Sequence, residues 1–423
     1  MNAPMATTFS DVRLELERQL EHWRQAALRL SDLDSVAPAP AWQSLEHYLG
    51  VSLRQTLDQS LARLRRAADA ATSELATVSD ENDLSRARAR IMDLRQRYLR
   101  VETTIDFYAD ALATRAVPRM GALLRACDHM ATTSMAEVLR PLGRQVPAAL
   151  TYLDAGLGAS ILKAGLRLWD GTAENPVATI KVTRHNLLRP TSVLHEAGHQ
   201  VAHMLGWNDE LAARLQSCPG ASPRTAEVWS GWAAEVAGDA VGFAFTGYAA
   251  VAALHDVVDG GRAKVFAFLP YDPHPTSYLR VRLGIAMCRA MYGAGPWDRL
   301  ESAWCRLYPL DSAPSASRNL VEESVAVLPR ITAIILQEAY RAFGGRPLTA
   351  LIDPMRVSPG ALAELERAAG RAAFSSPYWI WNEAIRLLAL TGYRAALGSG
   401  PMREALVRQE RWMLAIGRQR EAA

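Results

Sequence analysis

The sequence predicts a mostly helical α+β protein: a helical core carrying a small antiparallel β-hairpin, flanked by helical N- and C-terminal regions. Three observations predict it. Apolar residues recur at three-four spacing through most of the chain. Convincing strand patterns are confined to the stretch between Leu166 and Thr183. Gly and Pro signals cut the remainder into helix-sized pieces. On these signals the chain divides into residues 1–140, 141–294 and 295–423.

From Phe9 to Leu124 the chain is dense in helix formers and holds no strand pattern. Ala37-Pro38-Ala39-Pro40 breaks a first helix. Leu53, Leu57, Leu61 and Leu64, then Ile91, Leu94, Tyr98 and Val101, mark two apolar helical faces. Asp80-Glu81-Asn82-Asp83 falls between them, so this region reads as a helical hairpin or coiled-coil-like arm. Its alternating charge reads first as a solvated face, with a helical partner or self-association as the other reading.

In the middle region, Leu166-Arg167-Leu168-Trp169 and Ala178-Thr179-Ile180-Lys181-Val182-Thr183 read as strands. Asp170-Gly171 begins the turn between them. Pro190 ends that segment, and Thr191 or Ser192 is placed to cap the next helix. Leu194, Ala197, Val201, Ala202 and Leu205 form its apolar stripe, and Gly206-Trp207-Asn208 closes it. A second helix runs through Trp232 to Asp239. Beyond Gly295, Asn319–Phe343, Pro359–Phe374 and Pro377–Leu397 read as further helices between Gly and Pro breaks.

The chemistry concentrates in His195-Glu196-Ala197-Gly198-His199. Positions four apart stack on one helix face, so His195 and His199 can aim their imidazoles at one metal ion. Glu196 then stands where it can take a proton from water at the metal. Zinc takes a third protein ligand and keeps a fourth position open. Glu235 supplies that ligand from the second helix, and Asp239, one turn on, can hold a ligand imidazole by its outer N–H. Both acids sit inside an apolar run, where a carboxylate is rarely buried without a partner or a metal. A strand beside the first helix would offer its free edge to an extended peptide.

This arrangement resembles the gluzincin class of metallopeptidases. The segment Asp272-Pro273-His274-Pro275-Thr276-Ser277-Tyr278-Leu279-Arg280-Val281 is similar to the His-Pro…Arg signature of the M48 peptidases, the CAAX prenyl protease and HtpX family. The likeness spans Pro190 to Gly284. It implies a zincin-type catalytic core with one zinc ion per chain, ligated by His195, His199 and Glu235, and Glu196 as general base. It also implies that His274 stabilises the tetrahedral intermediate and that Arg280 holds substrate or the site wall. Other readings of the residues remain: His274 as a loop histidine between prolines, Arg280 as the partner of an acid, and Tyr271 or Tyr278 as the oxyanion donor. Many members of that family are built into membranes, and this chain shows no membrane span.

Composition limits the rest. At 423 residues the chain holds two or three domains with a sizeable core. A net charge of +3, with arginine and acid interspersed, leaves no nucleic-acid footprint. Lysine is reduced to Lys163, Lys181 and Lys264, which reads as the codon bias of a GC-rich, bacterial genome. Cys127, Cys218, Cys288 and Cys305 form no close pair, pointing to a reducing compartment. Met1 to Ala6 lead into charged helix without an apolar signal core, so the expected location is the cytoplasm, although signal-less export fits the same residues. The longest apolar stretch, Ala233 to His255, is interrupted by Glu235 and Asp239. The expected activity is zinc-dependent endopeptidase hydrolysis of a protein or peptide. Two alternatives share the motif: a zinc-binding regulatory or scaffold protein that does not cleave, and a zinc hydrolase of a non-protein amide.

Overall fold

The computed structural model describes residues 8–156, 160–163 and 175–422. The chain is mostly helical, at 76%, with a three-stranded mixed sheet as its β part. It forms two compact units. One holds the residues up to Thr114 with Asn175 and Pro176; the other holds Arg115–Lys163 and everything from Val177 onward.

The first unit is built from α1 (Phe9–Leu30), α2 (Ala39–Leu49), α3 (Leu53–Ala76) and α4 (Glu81–Arg115). A capping box starts α1: the Asp11 amide donates to Thr8 Oγ1 at 3.2 Å, and the Thr8 amide donates to Asp11 at 2.8 Å. The Ala-Pro run marks the entry to α2, with Pro40 in its first turn, where a missing N–H costs nothing. Leu53, Leu57, Leu61 and Leu64 are buried along α3, and Ile91, Leu94 and Val101 along α4. Glu74 and Arg90 pair at 3.2 Å, joining the end of α3 to the first half of α4.

The second unit opens with α5 (Pro118–Leu139), followed by β1 (Ala148–Leu153), β2 (Ser160–Leu162) and β3 (Val177–Val182). The strand order is β1-β3-β2: β1 runs parallel to β3, and β2 runs antiparallel to it, with Ser160 opposite Lys181 and Leu162 opposite Thr179. The sheet is therefore mixed, not a simple antiparallel hairpin. The expected first strand, Leu166–Trp169, and its turn at Asp170-Gly171 lie outside the described residues. No sequence signal marked β1. It is buried along nearly its whole length, and a strand covered on both faces loses the alternation that betrays one.

The helices that follow are α6 (Thr191–Leu205), α7 (Trp207–Gln216), α8 (Pro223–Gly231), α9 (Ala233–Thr246), α10 (Tyr248–Val258), α11 (Arg262–Val265) and α12 (Ser277–Tyr292). The chain closes with α13 (Pro296–Leu307), α14 (Ser315–Gln337), α15 (Pro359–Ala369), α16 (Pro377–Asn382), α17 (Ala384–Leu397) and α18 (Met402–Ala422). The expected boundaries near residues 140 and 294 do not separate compact units. The reason is packing: α5 lies against α6, β1 and α18, while α17 covers α10 and α14 covers α12. The Gly and Pro signals there mark turns inside one body.

Among the described residues no helix is long and apolar enough to cross a membrane. The apolar stretch from Ala233 to His255 is split into α9 and α10 at Gly247, whose φ of +57° a side chain would resist. All four cysteines are free thiols.

Candidate active site

The site forms where α6 packs on α9, and two glycines set how close those helices come. A Cβ added to Gly198 would sit 2.8 Å from Val241 Cβ and 3.2 Å from Gly238 Cα. A Cβ on Gly238 would meet the His195 ring, at 2.7 Å from Cε1. Both positions require glycine for close approach. Pro190 precedes α6 with no side-chain cap. Thr191 is already helical, so the expected cap by Thr191 or Ser192 does not form. Gly206, at φ +68°, ends the helix in the left-handed conformation.

His195 Nε2 lies 3.5 Å from Glu235 Oε2, and His199 Nε2 lies 3.2 Å from Glu235 Oε1. The ligand-type atoms of His195, His199 and Glu235 all fall within 4.8 Å of one another. The two imidazoles stand edge to face, with ring centroids 4.5 Å apart. His195 Nδ1 faces Asp239 Oδ1 at 3.0 Å. His199 Nδ1 is buried without a hydrogen-bond partner among the described residues, so the polar contact of that ring is made through Nε2. Two imidazole nitrogens and one carboxylate are a donor set suited to zinc, and an outer carboxylate on a ligand imidazole is its usual support. On donor chemistry and convergence the residues fit such an ion.

Arg280, from α12, closes the site behind these groups. Its Nε donates to Asp239 Oδ2 at 2.6 Å, and its Nη2 donates to Asp239 Oδ1 at 2.8 Å and Glu235 Oε2 at 3.2 Å. The guanidinium is spent on two carboxylates, which makes Arg280 a wall of the site. His274 stands in the loop before α12. Its Nδ1 contacts Asp272 Oδ1 at 2.8 Å, its backbone N–H donates to the same oxygen at 3.0 Å, and its Nε2 lies 3.6 Å from Glu235 Oε1. Just over half of its side chain is exposed.

The electrostatics follow from burial and pairing. Burial alone would lower His195, but its hydrogen bonds to Asp239 and Glu235 outweigh that and raise it to about 10. Burial opposes ionisation of Asp239 too, yet Arg280 and His195 bring it down to about 2. Glu235 resists burial in the same way: its bonds to His195 and His199 hold it well below the usual carboxylate range. Glu196 differs. Its burial outweighs the nearby imidazoles, and its carboxyl is raised.

A cavity of about 620 Å³ opens over these groups. Its lining includes the polar groups of Glu196, His195, His199, Glu235, His274 and Arg280 and the apolar side chains of Val251, Leu254, Val257 and Met287. Ser160 and Ile161 of β2 also line it, so one of the two outer strands of the sheet borders the site.

The tyrosine candidates do not belong to this group. Tyr278 is buried, with its hydroxyl against Cys305 Sγ at 3.6 Å and Arg282 at 3.3 Å. It precedes Arg280 by two residues, which places it on the opposite side of α12. Tyr271 is fully exposed in a turn at φ +69° and does not line the cavity. Sequence reasoning assigned no role to Asp272, Gly238, Lys163 or Lys264, all four of which border the site or its ligands. Of these only Gly238 carried a signal, as a glycine inside an apolar helix beside the two acids. No family model, no curated protein and no solved structure matches this chain.

Proposed function

We propose that this chain is a zinc-dependent peptidase of the gluzincin kind, working on protein or peptide substrates in the cytoplasm. One observation carries the reading: a buried carboxylate that is not a ligand, Glu196, shares a cavity with His195, His199 and Glu235, whose donor atoms converge. Unpaired cysteines and the lack of a membrane-spanning helix among the described residues support the location.

His195, His199 and Glu235 would hold the ion, with Asp239 fixing His195 and Arg280 fixing both carboxylates. A zinc ion held there supplies Lewis-acid chemistry, which makes water a nucleophile near neutral pH and polarises a carbonyl. Glu196 accepts the proton of the attacking water on its carboxylate and returns it to the leaving amine nitrogen. A carboxyl raised by burial is suited to both halves of that exchange. Asp272 holds the His274 ring through Nδ1 and leaves Nε2 on the side of Glu235, where an N–H donates to a developing oxyanion. Ser160 and Ile161 of β2 line the cavity, which gives an extended substrate a strand to lie along beside these groups.

The test is a peptide library digested by zinc-loaded wild type and by Glu196→Gln. Cuts made by wild type and lost in the variant, at equal zinc content, support the reading. A zinc-loaded wild type that cuts no peptide would move the assignment to a non-peptide amide or to a binding role.

A further inference from the structure

Two helices that bring charged groups to the candidate metal site go on lining the same cavity further along, with residues of a different kind. On α12 the lining residues are Ser277, Arg280, Gly284 and Met287, spaced three, four and three apart on one face. On α9 they include Glu235, Asp239 and Gly242, again at helical spacing. Both stripes pass from charged to uncharged residues toward the C-terminal end of the helix. At a rise of 1.5 Å per residue, Gly284 stands about 6 Å and Met287 about 10 Å along α12 from Arg280. Gly242 stands about 4.5 Å beyond Asp239 on α9. A third helix, α10, lines the cavity with Val251, Leu254 and Val257, an apolar stripe.

Close contacts fix where the apolar residues lie. A Cβ added to Gly284 would stand 2.9 Å from both γ carbons of Val251, so α10 meets α12 one turn past Arg280. Gly242 lies against α6, where a Cβ would stand 3.6 Å from His195 Cα. Val251, Gly242 and Gly284 therefore gather about one helical turn from the carboxylates that Arg280 holds. Leu254 and Val257 are only partly buried, because they face the cavity and not a packed core. Aliphatic surface held in a concavity is what an apolar ligand group covers. An extended substrate advances about 3.4 Å per residue. The side chain that spans one helical turn from the reacting carbonyl thus belongs to the residue next to the scissile bond.

We propose that this region is a specificity subsite for a large apolar side chain, leucine-sized or greater, on the residue next to the scissile bond. Val251, Leu254 and Met287 are its specificity-determining residues. The inference rests on the zinc peptidase reading above and names the substrate class within it. Met287 suits such a role, since a flexible thioether adapts to side chains of different shape.

The experiment measures binding, so that no knowledge of the natural substrate is needed. Three succinyl hydroxamates, alike except for the side chain beside the zinc-binding group, are titrated calorimetrically into the zinc-loaded full chain. The side chains are methyl, isobutyl and carboxamidomethyl, the last close to isobutyl in shape but polar. Each buried methylene strengthens binding about fourfold, so isobutyl should bind about 50-fold tighter than methyl. Carboxamidomethyl should bind no tighter than methyl, because covering an amide with aliphatic groups costs it water. Leu254→Asn and Met287→Ala should each cut the isobutyl advantage to under about tenfold, at wild-type zinc content and helical circular dichroism. Isobutyl and methyl within about threefold of each other in the wild type overturns the proposal while leaving the zinc reading standing. Equal binding of isobutyl and carboxamidomethyl, or an isobutyl advantage unchanged in both variants, overturns it in the same way. Failure of all three hydroxamates to bind overturns the zinc reading itself, and this inference falls with it.

Discussion

Gly238 lies directly under the imidazole of His195, so close that a Cβ there would reach 2.7 Å from Cε1 and 2.9 Å from Nδ1. The ring cannot yield freely, because its Nδ1 is engaged by Asp239 and its Nε2 faces Glu235. Gly238→Ala should therefore rotate or lift His195. The expected outcome is a loss of zinc affinity of about 10- to 100-fold, the range seen when support of a ligand is disturbed. Competition with a chromogenic chelator measures it, and helical circular dichroism checks that the fold survives.

Asp239→Asn probes the same imidazole from the other side. The amide can still accept from His195 but no longer carries the charge that Arg280 neutralises. Zinc affinity should again fall by about 10- to 100-fold. Unchanged affinity would mean that His195 is not a ligand or needs no outer partner.

Protonation gives a third expectation. In the chelated protein, His195 is raised to about 10 from an ordinary 6.5. A raised group stabilises the fold fully below its unfolded value and loses that contribution as pH climbs through its folded value. Asp239, lowered to about 2 from 3.8, acts in the opposite sense: its contribution is present above 3.8 and is lost as pH falls through about 2. The chelated chain should thus be most stable from about pH 4 to 6.5 and weaken steadily toward pH 10. Zinc must displace the His195 proton, so binding at pH 8 should release about one proton. Thermal unfolding against pH, and calorimetry in two buffers of different ionisation enthalpy, read these out. A melting temperature that does not change between pH 7 and 10 would contradict the assignment of His195.

Oxyanion stabilisation is assigned to His274 and not to the tyrosines. His274→Ala should lower kcat/KM about 100-fold or more, the usual loss when one such donor is removed. Asp272→Asn should give a smaller loss and shift the pH profile, because Asp272 acts by positioning His274. Tyr278→Phe should leave kcat/KM within about twofold, since its hydroxyl faces Cys305 and Arg282. A large loss on Tyr278→Phe with native stability would reverse this assignment.

Legibility in the sequence followed regular geometry. His195 and His199 are four apart on one helix, as are Glu235 and Asp239, so spacing alone placed each pair on one face. The helices of the first unit were readable for the same reason, through Leu53 to Leu64 and Ile91 to Val101. What periodicity could not carry was missed. Asp272 holds His274 through a loop that contains Tyr271 at positive φ, a geometry no repeat encodes. Lys163 and Lys264 reach the cavity from a strand end and a short helix about a hundred residues apart. Tyr278 was misplaced because the segment was read as a motif, while two residues on a helix differ by more than half a turn.

The measurement that tests the central claim most directly is zinc per chain by elemental analysis, on purified wild type beside Glu235→Ala and Glu196→Gln. The account predicts about one zinc in wild type and in Glu196→Gln, and far less in Glu235→Ala. No zinc in reconstituted wild type, or full zinc in Glu235→Ala, would contradict it.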